Sequence, residues 1–283
     1  MVTPFRYTLR RMRGQIIGWG LGIALLGAVI IPFYSVFAES QAQFLAMLEN
    51  YPPEFLAFFG DASDASAITT PRGFLQYYFF SMLPVLAGIF ALSAGSRLLA
   101  QDEERGRMDL ILAHPLSRTT LFFGRVLALV AASVAIVFIG WLGCAILLAT
   151  SSMDVGVGEL ALAFLPVLAQ ILIYAALALL LSLLLPAYRY ASMITGMLLA
   201  ASYILSSLGK LHPSLNAIGD LMPYAYYQGA AAMSGLDWGS FLGLVGISAV
   251  FVVLAWWRFE RRDIRVVGEG SWNLPLRLRK RAA

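Results

Sequence analysis

One short polar segment, residues 101–118, carries the side chains whose types and spacing could do chemistry. It reads Gln-Asp-Glu-Glu-Arg-Gly-Arg-Met-Asp-Leu-Ile-Leu-Ala-His-Pro-Leu-Ser-Arg. The adjacent carboxylates of Asp102, Glu103 and Glu104 could serve as a general acid and a general base. A charged helix start is the simpler interpretation, because carboxylates are stabilised at the positive end of the helix dipole. We favour that interpretation and predict no catalytic residue.

Other residue types that hold metals or phosphates do not form recognisable sites. The histidines, His114 and His212, fall in connections that the topology below places on opposite sides of a membrane, so they cannot share a metal. A single cysteine excludes a disulfide or a cysteine cluster within one chain. Gly209-Lys210 lacks the earlier glycine and the Ser or Thr of a phosphate-binding loop. We therefore predict no metal site and no ATP hydrolysis by this chain.

The elements that must position segment 101–118 are apolar. Of the 283 residues, 60% are hydrophobic and 13% are charged, whereas a soluble domain carries about a quarter charged residues. A helix needs roughly 20 mainly apolar residues to cross a bilayer. Six runs reach that length, at 16–38, 74–99, 121–149, 160–185, 191–209 and 241–257. The sequence predicts an all-α membrane protein with six transmembrane helices.

Basic residues indicate the orientation of these spans. Arginines and lysines flank one set of span ends, and the other set has only Arg72 and Lys210. Because Lys and Arg are enriched on the cytoplasmic side, both termini are expected in the cytoplasm, with 258–283 as a basic tail. An odd number of spans would place one basic terminus outside. The basic residues lie beside apolar runs, which does not fit nucleic-acid binding.

The first residues form a basic, amphipathic pattern. Apolar residues recur at helical spacing, and we expect residues 1–15 to form a helix on the cytoplasmic leaflet, anchored by Arg6, Arg10, Arg11 and Arg13. The alternative is an ordinary positive flank that orients the first span. A cleaved signal peptide is disfavoured, because the run 16–38 exceeds the 7–15 residues of a signal core.

Polar residues near the spans do not favour an ion-coupled carrier or a membrane-bound enzyme. A carrier usually needs ionisable groups at membrane depth, and Arg97 and Arg125 lie near span ends, where they can snorkel. The tyrosines at 224, 226 and 227 are typical of an aromatic belt at the outer interface. We expect the outer segment 39–73 to form short helices on the membrane surface.

The second half of segment 101–118 has a helical apolar pattern. Met108, Ile111, Leu112 and Leu116 fall at i, i+3, i+4 spacing, and Pro115 would end the helix. Such a face could dock into a groove on a partner. It could also pack against the protein's own helix ends, and the spacing alone slightly favours that alternative.

The same segment resembles the permease subunits of ABC-2 type transporters. Their corresponding loop typically contains Glu-Glu, then Gly-Thr-Leu-Asp-Leu-Leu-Leu-Ala and Pro-Val-Ser-Arg. The matching residues are Glu103, Glu104, Gly106, Asp109, Leu110, Leu112, Ala113, Pro115, Ser117 and Arg118. Arg107-Met108 replaces Thr-Leu, which adds a charge. Two further stretches, 223–226 and 259–264, are similar to the family's Pro-Phe-x-Tyr and Phe-x-Arg-Arg-Asp-Ile motifs.

The resemblance implies a six-span ABC-2 permease fold, similar to type V exporters, with an N-terminal elbow helix and a coupling helix at 101–117. It implies that Glu103, Glu104, Gly106, Asp109, Leu110, Leu112, Pro115, Ser117 and Arg118 couple the chain to an ATPase. That separate ABC ATPase would bind ATP and Mg²⁺, and a second permease subunit, identical or homologous, would complete the pathway. The expected role is export across the inner (cytoplasmic) membrane. A secondary transporter or channel is the alternative, and the substrate is not indicated.

Overall fold

The computed structural model describes residues 1–40, 70–108, 111, 113, 116–209 and 213–262. In this part of the chain six helices are long and apolar enough to span a membrane. They are α1 (Val2–Glu39), α2 (Pro71–Arg97), α4 (Arg118–Leu148), α5 (Val157–Leu184), α6 (Tyr188–Gly209) and α8 (Trp238–Arg261). The shorter helices are α3 (Ala100–Glu104) and α7 (Pro213–Gly219). The predicted all-α, six-span fold is confirmed.

Helix α5 is the centre of the bundle. It contacts α2, α4, α6 and α8, while α1 packs along α4. Small residues allow close backbone approach, as is usual between membrane helices. A Cβ on Gly95 of α2 would lie 2.2 Å from the Ala175 carbonyl oxygen of α5, and one on Gly143 of α4 would lie 2.4 Å from the Ala24 Cβ of α1. The apolar outer faces of α1, α6 and α8 are exposed and suited to lipid.

Helix α1 differs from the predicted arrangement. The expected amphipathic helix at 1–15 and the expected span at 16–38 form one uninterrupted helix from Val2 to Glu39. The physical reason is local, because no proline lies between the two segments and Gly14, at their junction, keeps the helical backbone of α1. The predicted surface helices at 39–73 fall mainly on 41–69, which lies outside the described residues.

Helix α2 contains an irregular stretch in its N-terminal half. Gln76–Phe80 is a π-helical turn, and Pro84 follows one turn later. Proline has no N–H, so Pro84 leaves the Phe80 carbonyl without its helical partner. The Tyr227 hydroxyl donates a hydrogen bond of 2.8 Å to that oxygen. A side chain from another element therefore satisfies the group that the proline releases, as a membrane interior requires.

The segment between α7 and α8 reaches into the bundle instead of staying at its surface. It forms two 3₁₀ turns, Pro223–Tyr226 and Gly229–Met233. The Gln170 amide donates to the Pro223 carbonyl oxygen at 2.7 Å. Gln170 lies about 20 Å along α5 from Val157, so Pro223 is at membrane depth. Side chains also accept hydrogen bonds from two backbone N–H groups here. Ser202 Oγ accepts from the Tyr224 N–H at 3.0 Å, and Gln76 Oε1 accepts from the Ala230 N–H at 2.6 Å.

The predicted aromatic belt is therefore only partly at the surface. Tyr226 is 46% exposed. Tyr224 packs edge-on against Tyr203, with ring centroids 5.1 Å apart, and it also contacts Tyr227. This inward packing was not predicted from the sequence, because tyrosines near a span end usually lie at the membrane interface.

Replacement of Tyr227 by Phe should destabilise the protein by about 1–3 kcal/mol, because the Phe80 carbonyl would lose its partner in an apolar environment. Thermal unfolding of the detergent-purified protein measures the effect. Tyr226→Phe is the matched control and should leave the midpoint unchanged. Equal midpoints for both variants would contradict the role given to the Tyr227 hydroxyl.

Candidate functional site

Helix α3 carries the acidic triplet, and its carboxylates point into the protein. Asp102 and Glu103 are each 2% exposed. They lie in the first turn of α3, which agrees with a charged helix start. Their burial is a further constraint, because a buried carboxylate needs a partner to remain charged.

Asp102 joins α3 to α1 and α4. One carboxylate oxygen accepts from Arg11 at 3.0 Å, and the other pairs with Arg125 at 2.7 Å. Arg125 is 3% exposed, and it also donates to the Leu98 carbonyl oxygen at the end of α2, at 2.6 Å. The expectation that Arg125 snorkels to the surface is therefore wrong. The Asp102 carboxylate pairs with the Arg125 guanidinium inside the protein.

Glu103 joins α3 to the ends of α5 and α8. It forms an ion pair with Arg262, the residue after α8. Arg262 also donates to the Leu183 carbonyl oxygen in the last turn of α5, at 3.1 Å. The Arg262 carbonyl in turn accepts from Arg118 of α4 at 2.8 Å.

Glu104 joins α3 to α6. Its carboxylate accepts from the Tyr188 N–H, at the first residue of α6, at 2.8 Å. All six membrane helices thus meet at one place, which we call the carboxylate junction: Asp102, Glu103 and Glu104 with Arg11, Arg125 and Arg262. Each carboxylate contacts an arginine or a backbone N–H, although Glu103 Oε1 has no hydrogen-bond partner among the described residues. These contacts attach α3 to the spans.

Gly106 reverses the chain directly after α3. Its φ is +64°, a conformation that glycine adopts without a Cβ penalty. The Arg107 N–H bonds to the Asp102 carbonyl at 2.8 Å and the Gly106 N–H to the Glu103 carbonyl at 2.9 Å, which is a Schellman motif. The prediction of one continuous helix over 101–117 is therefore wrong, whereas the coupling role of this segment stays a prediction. The chain ends one helix at Glu104 and resumes helical structure at Met108.

The remaining motif residues fall into two groups. Ser117 caps α4, because its hydroxyl accepts from the Thr120 N–H at 3.1 Å. Met108 is buried and Ile111 packs against the core, so these two residues contact the protein's own helices, as the alternative interpretation expected. The predicted coupling residues Asp109, Leu110, Leu112 and Pro115 lie outside the described residues.

The four predicted anchoring arginines do not all have the same environment. Arg6, Arg10 and Arg13 are exposed. Arg11 instead contacts Asp102 and donates to the Gln101 side-chain oxygen at 2.7 Å. Sequence reasoning missed the junction because it treated these arginines as a topology signal. Arg125, four residues inside an apolar run, was the available sign of a buried ion pair.

The opposite ends of the helices are held by smaller contacts. Arg72 pairs with Glu159 at 2.9 Å. Asp237 caps α8, and hydrogen bonds from Ser240 and the Gly239 N–H lower the pKa of its carboxyl. Across the described ranges, no three His, Cys, Asp or Glu side chains are grouped closely enough to hold a metal.

Asp102→Asn should cost about 3–5 kcal/mol of stability, because it leaves Arg125 buried without a counter-charge. Asp154→Asn, an exposed carboxylate change, is the control. The double variant Asp102→Leu/Arg125→Met should recover much of the loss, since it removes both buried charges. The midpoint of thermal unfolding compares the three. Equal midpoints for Asp102→Asn and Asp154→Asn would show that Asp102 makes no net contribution.

Gly106→Val should destabilise the turn by about 1–2 kcal/mol, because a β-branched residue is strained at positive φ. Gly158→Val is a control at a helix position where an added Cβ meets no atom within 4 Å. Limited proteolysis of segment 105–117 reports the local effect, with faster cleavage expected only for Gly106→Val. Equal cleavage of the two variants would contradict the Schellman assignment.

A comparison with protein families gives one match over most of the chain. Residues 1–260 match the family model described as the multidrug efflux system permease Rv1217c, C-terminal domain. A comparison with curated proteins found no match.

Proposed function

This chain belongs to the family of the multidrug efflux system permease Rv1217c, C-terminal domain, and from that premise we propose that it is the permease subunit of an ATP-driven ABC-2 type exporter. As a multi-pass membrane permease it would form the pathway, and a separate ABC ATPase would bind ATP and Mg²⁺. Drug-like, lipophilic compounds are the proposed cargo, because the family's description names multidrug efflux.

The carboxylate junction is the observation that carries this proposal. A pump driven by a separate ATPase needs a segment that receives force and a rigid connection from it to the spans. Segment 105–117 begins one residue after α3, and α3 is bound through its carboxylates to α1, α4, α6 and the end of α8. Movement of this segment would therefore reach all six spans together.

The proposed coupling residues then divide into two roles. Glu103, Glu104, Gly106, Ser117 and Arg118 hold the segment, since their contacts are with this protein. Asp109, Leu110, Leu112 and Pro115 are proposed to face the ATPase, on the strength of the family resemblance. Replacing the first group would weaken the connection, and replacing the second would weaken the docking.

Orientation and assembly complete the proposal. We place the carboxylate junction and both termini on the cytoplasmic side of the inner membrane, because the basic residues cluster there. A second permease subunit, identical or homologous, would face the exposed apolar surfaces of the bundle. A secondary transporter or channel without an ATPase is the alternative. It is disfavoured because the buried charges of the described residues lie at one end of the bundle, where carriers seldom place coupling groups.

Leu110→Asp or Leu112→Asp should leave the protein inserted but abolish association with the ATPase, because a charge would enter an apolar contact. The tagged protein is purified from its native membrane, and copurified ATP hydrolysis is measured. We expect at least a tenfold loss relative to the unmodified chain.

Leu221→Asp is the matched control. Leu221 is 78% exposed and belongs to the connection between α7 and α8, outside segment 105–117, so this variant should keep its ATPase. Full hydrolysis in the Leu110→Asp and Leu112→Asp complexes would contradict the docking role. Recovery of the unmodified chain as an active transporter without any nucleotide-binding protein would favour the alternative function.

A further inference from the structure

The basic end of α1 borders an apolar cleft of about 590 Å³. The cleft lies between the first turns of α1, the chain after α3 and the start of α4. Its apolar lining comes from Pro4, Tyr7, Ile111, Leu116 and Leu121. This volume is within the range of small-molecule and cofactor sites.

A second depression of about 410 Å³ adjoins the cleft. It is lined by Val2, Thr3, Arg6, Tyr7 and Arg10, so the two share Thr3 and Tyr7. The second depression places two exposed arginines at the rim, and the cleft adds a third, Arg107.

The three rim arginines differ electrostatically from the arginines beside them. Arg11 and Arg125 both pair with the Asp102 carboxylate and share its one negative charge. None of the ion pairs between described residues includes Arg6, Arg10 or Arg107. The rim is therefore positively charged, and the apolar cleft begins next to it.

The position of the cleft along α1 indicates which part of the bilayer it would contact. Thirty-eight residues of helix extend about 57 Å, whereas a bilayer with its headgroups is about 40–45 Å thick. The apolar part of α1 begins at Ile16, so its first turns reach the headgroup layer. Leu121 and Arg125 lie in the first turns of α4, which places the cleft at the boundary between headgroups and hydrocarbon.

We propose that this cleft binds one acidic phospholipid from the leaflet on the basic side of the bundle. The phosphate lies among Arg6, Arg10 and Arg107, and an acyl chain enters the apolar cleft. Charge complementarity favours an anionic headgroup. A soluble phosphate compound offers the same charge, but it would leave the apolar lining unused. Lipid binding at this site does not depend on an ATPase.

Native mass spectrometry of the full chain tests the proposal with added phosphatidylglycerol, phosphatidylcholine or glycerol phosphate. We expect one retained phosphatidylglycerol per chain at concentrations where the other two compounds do not bind. The rim variant Arg6→Gln/Arg10→Gln/Arg107→Gln should bind it at least tenfold more weakly. Thr3→Trp keeps every charge and fills the space that the two depressions share, so it should also weaken binding.

The matched control removes the same number of charges elsewhere. Arg13→Gln/Arg105→Gln/Arg189→Gln changes three exposed arginines that line neither depression, and it should bind phosphatidylglycerol within twofold of the unmodified chain. Circular dichroism verifies that each variant is folded. If this control lost as much phosphatidylglycerol binding as the rim variant, the binding would result from general charge attraction, and the proposed site would be wrong.

Other outcomes would also overturn the proposal. Equal binding of phosphatidylcholine would remove the headgroup preference, and binding of glycerol phosphate alone would identify a soluble-phosphate site. Unchanged lipid binding by Thr3→Trp would exclude the cleft. If the rim variant lost a copurified ATPase while binding phosphatidylglycerol normally, the surface would be a protein interface instead.

Discussion

Burial of opposite charges at one end of the bundle is the constraint on which the rest of this structure depends. Asp102 and Glu103 are removed from water together with Arg125 and Arg262, and each ion would cost several kcal/mol if its partner were absent. In this bundle α1, α4, α5, α6 and α8 each bring a group to α3 or to its arginine partners, so that each buried ion has a counter-charge. Apolar packing between membrane helices permits several arrangements. We expect these ion pairs to favour one of them.

Much of the fold could be predicted from the sequence, because its signals are local. A run such as 160–185 needs only length and hydropathy to be identified as a span, and α5 occupies Val157–Leu184. Gly106 could likewise be identified as the glycine of the family motif. That it ends α3 could not be predicted, because its left-handed backbone depends on hydrogen bonds to the Asp102 and Glu103 carbonyls.

The pairings of the candidate site could not be predicted, since they join residues far apart in the chain. Arg262 and Glu103 are separated by 159 positions, and no pattern within either segment indicates the other. The same holds for Tyr227 and the Phe80 carbonyl in α2. The proline at 84 indicates that a carbonyl needs a partner, but only the tertiary structure identifies it. The continuity of α1 was missed because a basic amphipathic stretch was taken for a separate element.

Because α1 is one continuous helix, a movement at one of its ends would tilt the whole helix. Its only interior proline after the first turn is Pro32, two turns before its C-terminal end, so no proline interrupts residues 5–31. A tilt of about 10° in a rod of roughly 57 Å displaces its ends sideways by about 10 Å relative to each other. Because Arg11 attaches α1 to Asp102 near one end and α1 packs along α4, a tilt that began at the carboxylate junction would be shared by both helices. Beyond the proline, the last turns of α1 pack on α2, where the Phe37 ring lies 5.0 Å from Phe74 and 6.1 Å from Tyr78 between centroids.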